Sequence, residues 1–557
     1  MSDINYENKL KLAIAQIDLI IGGLKVNSDK AIDVIKDASK KDIDLLVFPE
    51  LSITGYPPED LLLRNDFYEA TEKEVYRVCQ AVTGSLTAII SFPHKTKEGI
   101  FNAAAVVKDQ KIQHYYYKQL LPNYSVFDEK RYFTKGDKPC VFNVNGINIG
   151  LNICEDIWFP NGPVVMSKET GAEIIVSVNA SPFCIDKAEV RKSILKERAL
   201  EVNLPVVYAH NVGAQDELVF DGGSMAVNTD GNVAAVAKFF EEDLLCMDIV
   251  KQNGKVYIVK QELPKQYGDE ELVYKAIIKG LRTYVINSGF TKVVLGISGG
   301  IDSALTLALA VAALGAENVE AVILPSEYTS DESIESAALV ADNLGVAHST
   351  ISIDKIFNTA FDELSPILGL DKNNIDLTVQ NLQARSRAII LMAISNKKGG
   401  LLLTTGNKSE MAVGYATLYG DMAGSYAPIK DLFKNKVYRI AKYINKRANQ
   451  ELIPNSIIQR EPTAELAPNQ KDSDTLPAYD VLDGILKRYV EYDQGANEII
   501  AAGYEKSTVI KVIDLVDKNE YKRRQAAPGV RISQKAFGRD RRYPITSKFN
   551  DSVFGEL

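Results

Sequence analysis

The stretch that most constrains this chain is GISGGIDS, residues 296–303, set between the apolar run 292–295 and the Ala/Leu-rich run 304–314. The pattern predicts strand, glycine loop, helix. Gly296, Gly299 and Gly300 let the backbone turn tightly and approach a ligand with no Cβ in the way, so successive amides can converge on phosphate oxygens. Asp302 and Ser303 open the following helix, where the macrodipole favours anions. A loop built for γ-phosphate transfer carries Lys-Ser or Lys-Thr after its last glycine. Here the pair is Asp302-Ser303, and an acid in that place suits Mg²⁺ on a pyrophosphate. The plainer alternative is an ordinary glycine-rich βα turn.

The octet resembles the SGGxDS loop of the N-type ATP pyrophosphatases. That resemblance implies cleavage of ATP to AMP and pyrophosphate, with a carbonyl or carboxylate activated as its adenylate.

A chain of 557 residues exceeds one core, and at about 150 residues per domain it allows two large domains or three to four small ones. Apolar content of 46%, charged content of 25% and no 18-residue uncharged apolar span predict a globular protein with no membrane partner. The N-terminus MSDINYENKL lacks the apolar segment of a signal peptide, so a cytoplasmic location is expected. Cysteines 79, 140, 154, 184 and 246 are few, odd in number and without CxxC spacing, which argues against a disulfide framework and a zinc ribbon. A formal charge of -9 disfavours non-specific binding of nucleic acid.

In the first half, LAIAQIDL alternates as a strand and residues 31–38 carry helical spacing. The run DLLVF, residues 44–48, ends at Pro49-Glu50. NAAAVVKD (102–109) and KIQHYYYK (111–118) predict a hairpin whose second strand ends at Lys118. INIGLNI (147–153) ends at Cys154, and residues 172–180 and 204–212 supply further strands. Glu50, Lys118 and Cys154 are therefore candidates to meet at one sheet edge. A thiol nucleophile needs a base and a nearby positive charge, which Glu and Lys provide without histidine; lysine can also stabilise an oxyanion. With only four histidines, a Cys-His arrangement has few possible partners. Taken singly, Glu50 reads as a surface or capping acid, Lys118 as a solvated charge and Cys154 as a small buried apolar residue.

FPELSITGYPPEDLL, YYKQLLPNYSVFDEKRYF and GLNICEDIW together resemble the Glu-Lys-Cys motifs of the nitrilase (carbon-nitrogen hydrolase) superfamily, over about residues 10–250. The resemblance implies an αββα sandwich. It makes Glu50 the general base, Lys118 the stabiliser of oxyanion and thiolate, Cys154 the acyl-forming nucleophile and Glu129 the second glutamate that positions the lysine. It also places Tyr124, Ser181 and Lys187 where glutaminase members bind L-glutamine. Cys184 is left structural, and Trp158 is assigned to packing.

The polar stretch after Val259, with Pro and Gly, marks a boundary: one domain over 1–262, a linker over 263–270 and a second domain over 271–557. After the octet come strand 319–325, a capped helix ending in Gly345, strand 348–353, a helix over 381–399 bearing Asn381, Arg385 and Arg387, and strand and loop GLLLTTGNKSE. This alternation predicts an α/β fold, a doubly wound parallel sheet with its ligand at the C-terminal strand ends, where Thr405 and Glu410 also lie. The Gly- and Tyr-rich stretch 414–438 reads as a substrate-covering loop, and 453–477 as a mobile segment. Residues 522–542 hold eight Lys/Arg against one Asp. They read as a solvated face, a nucleic-acid patch or partners for a diphosphate.

The order GISGGIDS, NLQARSR, TTGNKSE, YGDMAGSYAPIKDL and YKRRQAAPG resembles an NAD synthetase domain from about residue 271 onward. Fused to the nitrilase-like half, the chain resembles the glutamine-dependent NAD⁺ synthetase family. That implies ligation of ammonia from glutamine onto an adenylated deamido-NAD⁺. By resemblance Gly296, Ile297, Ser298, Gly299, Gly300, Ile301, Asp302, Ser303 and Thr405 hold ATP, and Asp302 binds Mg²⁺. Asn381, Glu410 and Lys522 contact deamido-NAD⁺, with Glu410 also a candidate Mg²⁺ ligand. Leu418 departs from ammonia-only relatives, which carry lysine there. The family implies a homo-oligomer, often an octamer; because both intermediates need shelter from water and free ammonia would be protonated, an enclosed channel between the two sites is expected. The alternatives are an amidase with an ATP-sensing domain, another PP-loop amidating ligase, and a nucleic-acid-binding protein using the basic C-terminal segment.

Overall fold

The computed structural model describes residues 6–372, 374–467 and 470–549. The chain divides into two compact units, Met1–Gln215 with Val219–Gln266, and Asp216–Leu218 with Tyr267–Leu557.

The strands up to residue 258 are β1 (Asn8–Gln16), β2 (Leu45–Val47), β3 (Thr87–Lys95), β4 (Ile100–Lys108), β5 (Lys111–Tyr117), β6 (Cys140–Val144), β7 (Ile147–Ile153), β8 (Ile174–Asn179), β9 (Val206–His210), β10 (Val212–Gln215), β11 (Leu218–Asp221), β12 (Met225–Val227), β13 (Val233–Val236), β14 (Asp243–Gln252) and β15 (Lys255–Ile258). Helices α1 (Leu24–Lys40), α2 (Asn65–Ala81), α3 (Pro163–Glu169) and α4 (Lys187–Val202) lie between them. One sheet runs β15-β14-β1-β2-β3-β4-β5 and another β13-β12-β9-β8-β7-β6.

Strand alternation dictates how these layers pack. Leu10, Leu12 and Ile14 of β1 share a buried cluster with Ile149, Leu151 and Ile153 of β7 and Ile174, Val176 and Val178 of β8, between the sheets. The intervening Ala13 and Ala15 face outward onto Ala31 and Ile35 of α1 and Val75 and Val78 of α2. On the other side Ile175 meets Val164 of α3 and Leu195, Ala199 and Val202 of α4. The unit is an αββα sandwich.

The second unit contains α5 (Asp269–Asn287), β16 (Val293–Ile297), α6 (Ile301–Leu314), β17 (Val319–Ile323), α7 (Asp331–Asn343), β18 (Ala347–Thr350), α8 (Asp354–Leu368), α9 (Leu377–Lys398), β19 (Leu401–Leu402), α10 (Lys408–Val413) and α11 (Lys434–Ala448). Its sheet is wholly parallel, in the order β18-β17-β16-β19. Val294, Val322 and Leu402 pack against Ile390 of α9 on one face, while the alternating Val293 and Leu295 are buried on the other, where α6 packs. The chain reverses its direction of travel across the sheet between β16 and β19. A doubly wound sheet leaves its crevice at that point, beyond the strands' C-terminal ends.

Three segments differ from expectation. The helix expected over 381–399 begins at Leu377, because Asp376 caps it by accepting from Val379 N at 3.0 Å. The stretch read as a covering loop over 414–438 ends as helix, since α11 opens at Lys434. Within 453–477, Asn455–Gln459 is helical and Asp472–Asp474 forms one 3-10 turn; residues 468–469 lie outside the described residues.

Candidate active sites

In the first unit each candidate side chain leaves the end of a strand. Glu50 follows β2, Lys118 follows β5 and Cys154 follows β7. Lys118 Nζ donates to Glu50 Oε1 at 2.8 Å and to Glu129 Oε1 at 2.7 Å, with Lys118 and Glu50 fully buried. Glu50 also accepts from Asn102 Nδ2 at 2.7 Å and from Ala180 N at 3.0 Å. Tyr56 OH donates to Glu129 Oε1 at 2.8 Å.

Cys154 starts a 3-10 turn, Cys154–Ile157, with φ at +43°. A non-glycine residue in that region is strained and persists only where its surroundings over-determine it. Asp156 supplies much of that fixing. Its carboxylate accepts from Ile153 N at 3.1 Å, Leu120 N at 2.8 Å, Gln119 N at 3.1 Å and Tyr116 OH at 2.8 Å. One side chain thus ties the turn that carries Cys154 to the strand end that carries Lys118. Sequence reasoning missed Asp156; a buried acid two residues after a nucleophile, in CEDIW, was the available signal.

Burial dominates the electrostatics here. It pushes the Cys154 thiol well above its ordinary range, Glu50 adding to the effect and Lys118 opposing it. Glu129 is pushed up to about 7 by burial, with Lys118 opposing and Glu50 reinforcing. Lys118 lies well above its usual range: burial acts to lower it, and the charges of Glu129 and Glu50 overcome that.

The residues expected around glutamine gather beside this centre. Tyr124 OH donates to Glu155 Oε1 at 2.9 Å, immediately after Cys154 in the chain. Lys187 Nζ sits 3.9 Å from the centroid of the Trp158 ring, so Trp158 does more than pack. Ser181 is buried and follows Ala180, whose amide holds Glu50.

In the second unit a cavity at the end of β16 is lined by all eight residues of the glycine loop, by Thr405 and Glu410, and by Arg387, Lys434 and Arg460. Gly299 has φ at +78°, and a Cβ there would lie 2.3 Å from Ser333 O, so only glycine fits. Ser303 Oγ accepts from Ser298 N at 3.2 Å and donates to Gly300 O at 3.0 Å, pinning the loop. Arg387 Nε donates to Leu324 O at 3.0 Å, and burial pushes its guanidinium down to about 10.

Asp302 accepts from Lys434 Nζ at 2.5 Å and from Asn407 Nδ2 at 2.9 Å; Lys434 also donates to Glu410 Oε1 at 3.0 Å. Asn407 caps α10, accepting from Glu410 N at 3.0 Å. Lys434 and Asn407 escaped sequence reasoning. A lysine at the first position of a helix opposes the macrodipole, and that was the signal that it has carboxylate partners.

The structure separates Asn381 and Lys522 from the described walls of that cavity and brings them to the loop 414–421. Thr417 Oγ1 donates to Asn381 Oδ1 at 2.7 Å, and Lys522 Nζ donates to Gly414 O and Ala416 O, each at 2.8 Å. Asp421 in the same loop accepts from Thr417 N at 2.6 Å and does line the cavity. Burial pushes Asp421 up to about 6, against the opposing charge of Lys522. The carbonyl of Leu418 accepts from Arg385 Nε at 3.2 Å. The basic segment 522–542 is largely spent internally: Arg523 pairs with Glu520, Arg531 with Asp540, and Arg541 with Glu520 and Asp517, all three arginines buried.

Residues 11–257 match the carbon-nitrogen hydrolase family and residues 273–526 the NAD synthase family. A glutamine-dependent NAD(+) synthetase of Xanthomonas campestris pv. campestris (strain 8004) is 46% identical over 545 residues, covering 97% of this chain and 98% of that protein. The chain belongs to the glutamine-dependent NAD(+) synthetases. Another such synthetase, from Thermotoga maritima, is 43% identical over 577 residues, 98% of this chain and 100% of its own. The glutamine-dependent NAD(+) synthetase of Acinetobacter baumannii, solved in complex with adenosine diphosphate, superposes with a TM-score of 0.79 at 43% identity, covering 96% of this chain and 98% of that one. The Cytophaga hutchinsonii synthetase, at 23% identity and a TM-score of 0.85 over 98% of this chain and 99% of its own, shares the fold. Among the described residues no helix is long and apolar enough to cross a membrane.

Proposed function

We propose that this chain forms NAD⁺, AMP, diphosphate and L-glutamate from deamido-NAD⁺, ATP, L-glutamine and water. One observation carries the reading: a buried Glu50-Lys118-Glu129 cluster beside a strained cysteine and a cavity lined by the whole glycine loop occur in the same chain. In the first unit Glu50 takes the proton from Cys154 Sγ as the sulfur adds to the glutamine amide. Lys118 stabilises the oxyanion, Glu50 returns the proton to the departing nitrogen, and ammonia leaves a glutamyl thioester that water, deprotonated by the regenerated Glu50 carboxylate, hydrolyses. Tyr124, Ser181 and Lys187 hold the amino acid, and Glu129 keeps Lys118 in place.

In the second unit the nicotinate carboxylate attacks the α-phosphorus of ATP, displacing diphosphate. Residues 296–303 and Thr405 hold the nucleotide, and Asn381, Glu410 and Lys522 orient the dinucleotide. Such chemistry is mostly positioning and charge neutralisation. Two carboxylates, Asp302 and Glu410, lie on one lysine nitrogen at the foot of the loop, which fits Mg²⁺: that ion takes one or two protein carboxylates together with substrate phosphates. Bound there it would neutralise the leaving diphosphate. Ammonia from the first reaction attacks the adenylate and releases AMP; sheltered transfer keeps it unprotonated, and free dilution of the product amide by ¹⁵NH₄⁺ in the medium would refute that shelter. The ADP-bound relative supports an adenine nucleotide as substrate. The family's habit suggests a homo-oligomer.

The test is product analysis with all four substrates and Mg²⁺, reading NAD⁺, AMP and glutamate together. Equal amounts of the three are expected. Glutamate alone would leave an amidase with a nucleotide-sensing domain.

A further inference from the structure

The ammonium of Lys434 stands between the two carboxylates assigned above to the metal, 2.5 Å from Asp302 Oδ2 and 3.0 Å from Glu410 Oε1. The other oxygen of each acid is also taken. Asn407 Nδ2 donates to Asp302 Oδ1 at 2.9 Å, and Asn407 N donates to Glu410 Oε2 at 3.3 Å. Four carboxylate oxygens therefore accept four hydrogen bonds from three nitrogens, closing a ring of Asp302, Asn407, Glu410 and Lys434. Lys434 is only 3% exposed, and its ammonium lies 5.3 Å from the centroid of the Tyr479 ring. Each carboxylate oxygen thus already accepts one hydrogen bond, although both acid side chains keep 17% of their surface exposed, and an ammonium and a divalent cation at this spacing repel strongly.

We propose that Lys434 is a placeholder for the metal: it neutralises the Asp302–Glu410 pair, keeps a free divalent cation out, and yields the pair only when the cation arrives with nucleotide phosphates. Those phosphates give the displaced ammonium a new anionic partner, so neither the carboxylates nor the lysine is left with an uncompensated buried charge. Asn407 acts through both acids as a positioning residue, holding them at one spacing while the cation between them changes. The consequence is an order of binding in which cation and nucleotide enter together. This inference rests on the assignment of Asp302 and Glu410 to the metal.

The test measures Mn²⁺ binding to the full chain without nucleotide, by loss of the free-Mn²⁺ paramagnetic resonance signal. Wild type, Lys434→Met, Lys434→Gln and the double variant Lys434→Met/Asp302→Asn are compared. The glutamine variant keeps a hydrogen-bond donor between the acids, and thermal melts check that each protein is folded. Both single variants should bind Mn²⁺ at least roughly tenfold more tightly than wild type, the like charge having been removed. The double variant should lose that gain. Unchanged affinity in both single variants overturns the placeholder, and so does a gain that survives Asp302→Asn. Because NAD⁺ formation by the wild type is read separately, failure here with synthesis intact sinks the placeholder alone.

Discussion

Lys118 Nζ lies 2.8 Å from Glu50 Oε1 with no exposed surface on either side chain, and the same ammonium also serves Glu129. Two carboxylates on one ammonium surround the thiol of Cys154 with more negative than positive charge. Burial is the main reason the thiol stands above its ordinary range, and this charge balance adds to it although a lysine is close by. In the proposed reaction the thiolate would therefore form only as Glu50 takes the proton.

Replacing Lys118 by Ala leaves Glu50 and Glu129 as unpaired buried acids. Breaking one side of a buried ion pair costs about 3–5 kcal/mol. A lower urea midpoint for the first unit and loss of glutamine hydrolysis are expected. A midpoint equal to that of wild type would show that the acids are neutralised in some other way.

Glu129 is expected to set the acid side of the pH response. Its pKa is raised in the fold from 4.5 to about 7, so the folded chain binds this proton more tightly than the unfolded one. The stability it contributes is fully present below pH 4.5 and is lost as pH rises through about 7. Activity runs the opposite way, because the ionised form is the one that clamps Lys118. Glutamine hydrolysis should fall on the acid side with a midpoint near 7, and Glu129→Gln should flatten that limb. An unaltered acid limb in the variant would assign the titration elsewhere.

Asp302→Ala removes the acid at the head of the glycine loop. NAD⁺ synthesis should drop at least ~100-fold whether glutamine or ammonium supplies the nitrogen, as on removal of a preorganised electrostatic group. Glutamate release by the first unit should persist. Retained ammonium-driven synthesis would remove Asp302 from the nucleotide chemistry.

Lys522→Ala should raise KM for deamido-NAD⁺ by roughly tenfold, the value of one charge-assisted hydrogen bond, with KM for ATP little changed. Equal increases in both would mean that Lys522 only braces the loop through Gly414 and Ala416.

The local features were legible in the sequence. The strand, loop and helix around GISGGIDS, the β4–β5 hairpin and the strand ending at Cys154 follow from alternation and glycine placement, which are short-range signals. β14 was not legible: it pairs antiparallel with β1, Leu12 opposite Met247, and nothing local announces a partner so far along the chain. Lys434 and Asp302 stand 132 residues apart, and their meeting depends on where the sheet delivers α11. The segment 453–477 reads as mobile because Pro, Asp and Asn recur in it, yet Arg460 and Glu465 from it line the glycine-loop cavity and pair with each other at 2.8 Å. The charge count of 522–542 misled in the same way. Its acidic partners Asp517 and Glu520 fall just outside the window, so a run open to a solvated face, a nucleic-acid patch or diphosphate partners is largely neutralised.

The most direct test of two separate chemistries in one chain is NAD⁺ formation by Cys154→Ala, measured with glutamine and, in parallel, with ammonium as nitrogen donor. No NAD⁺ from glutamine and an undiminished rate from ammonium are expected. Loss of the ammonium-driven rate, or NAD⁺ still formed from glutamine, would contradict this.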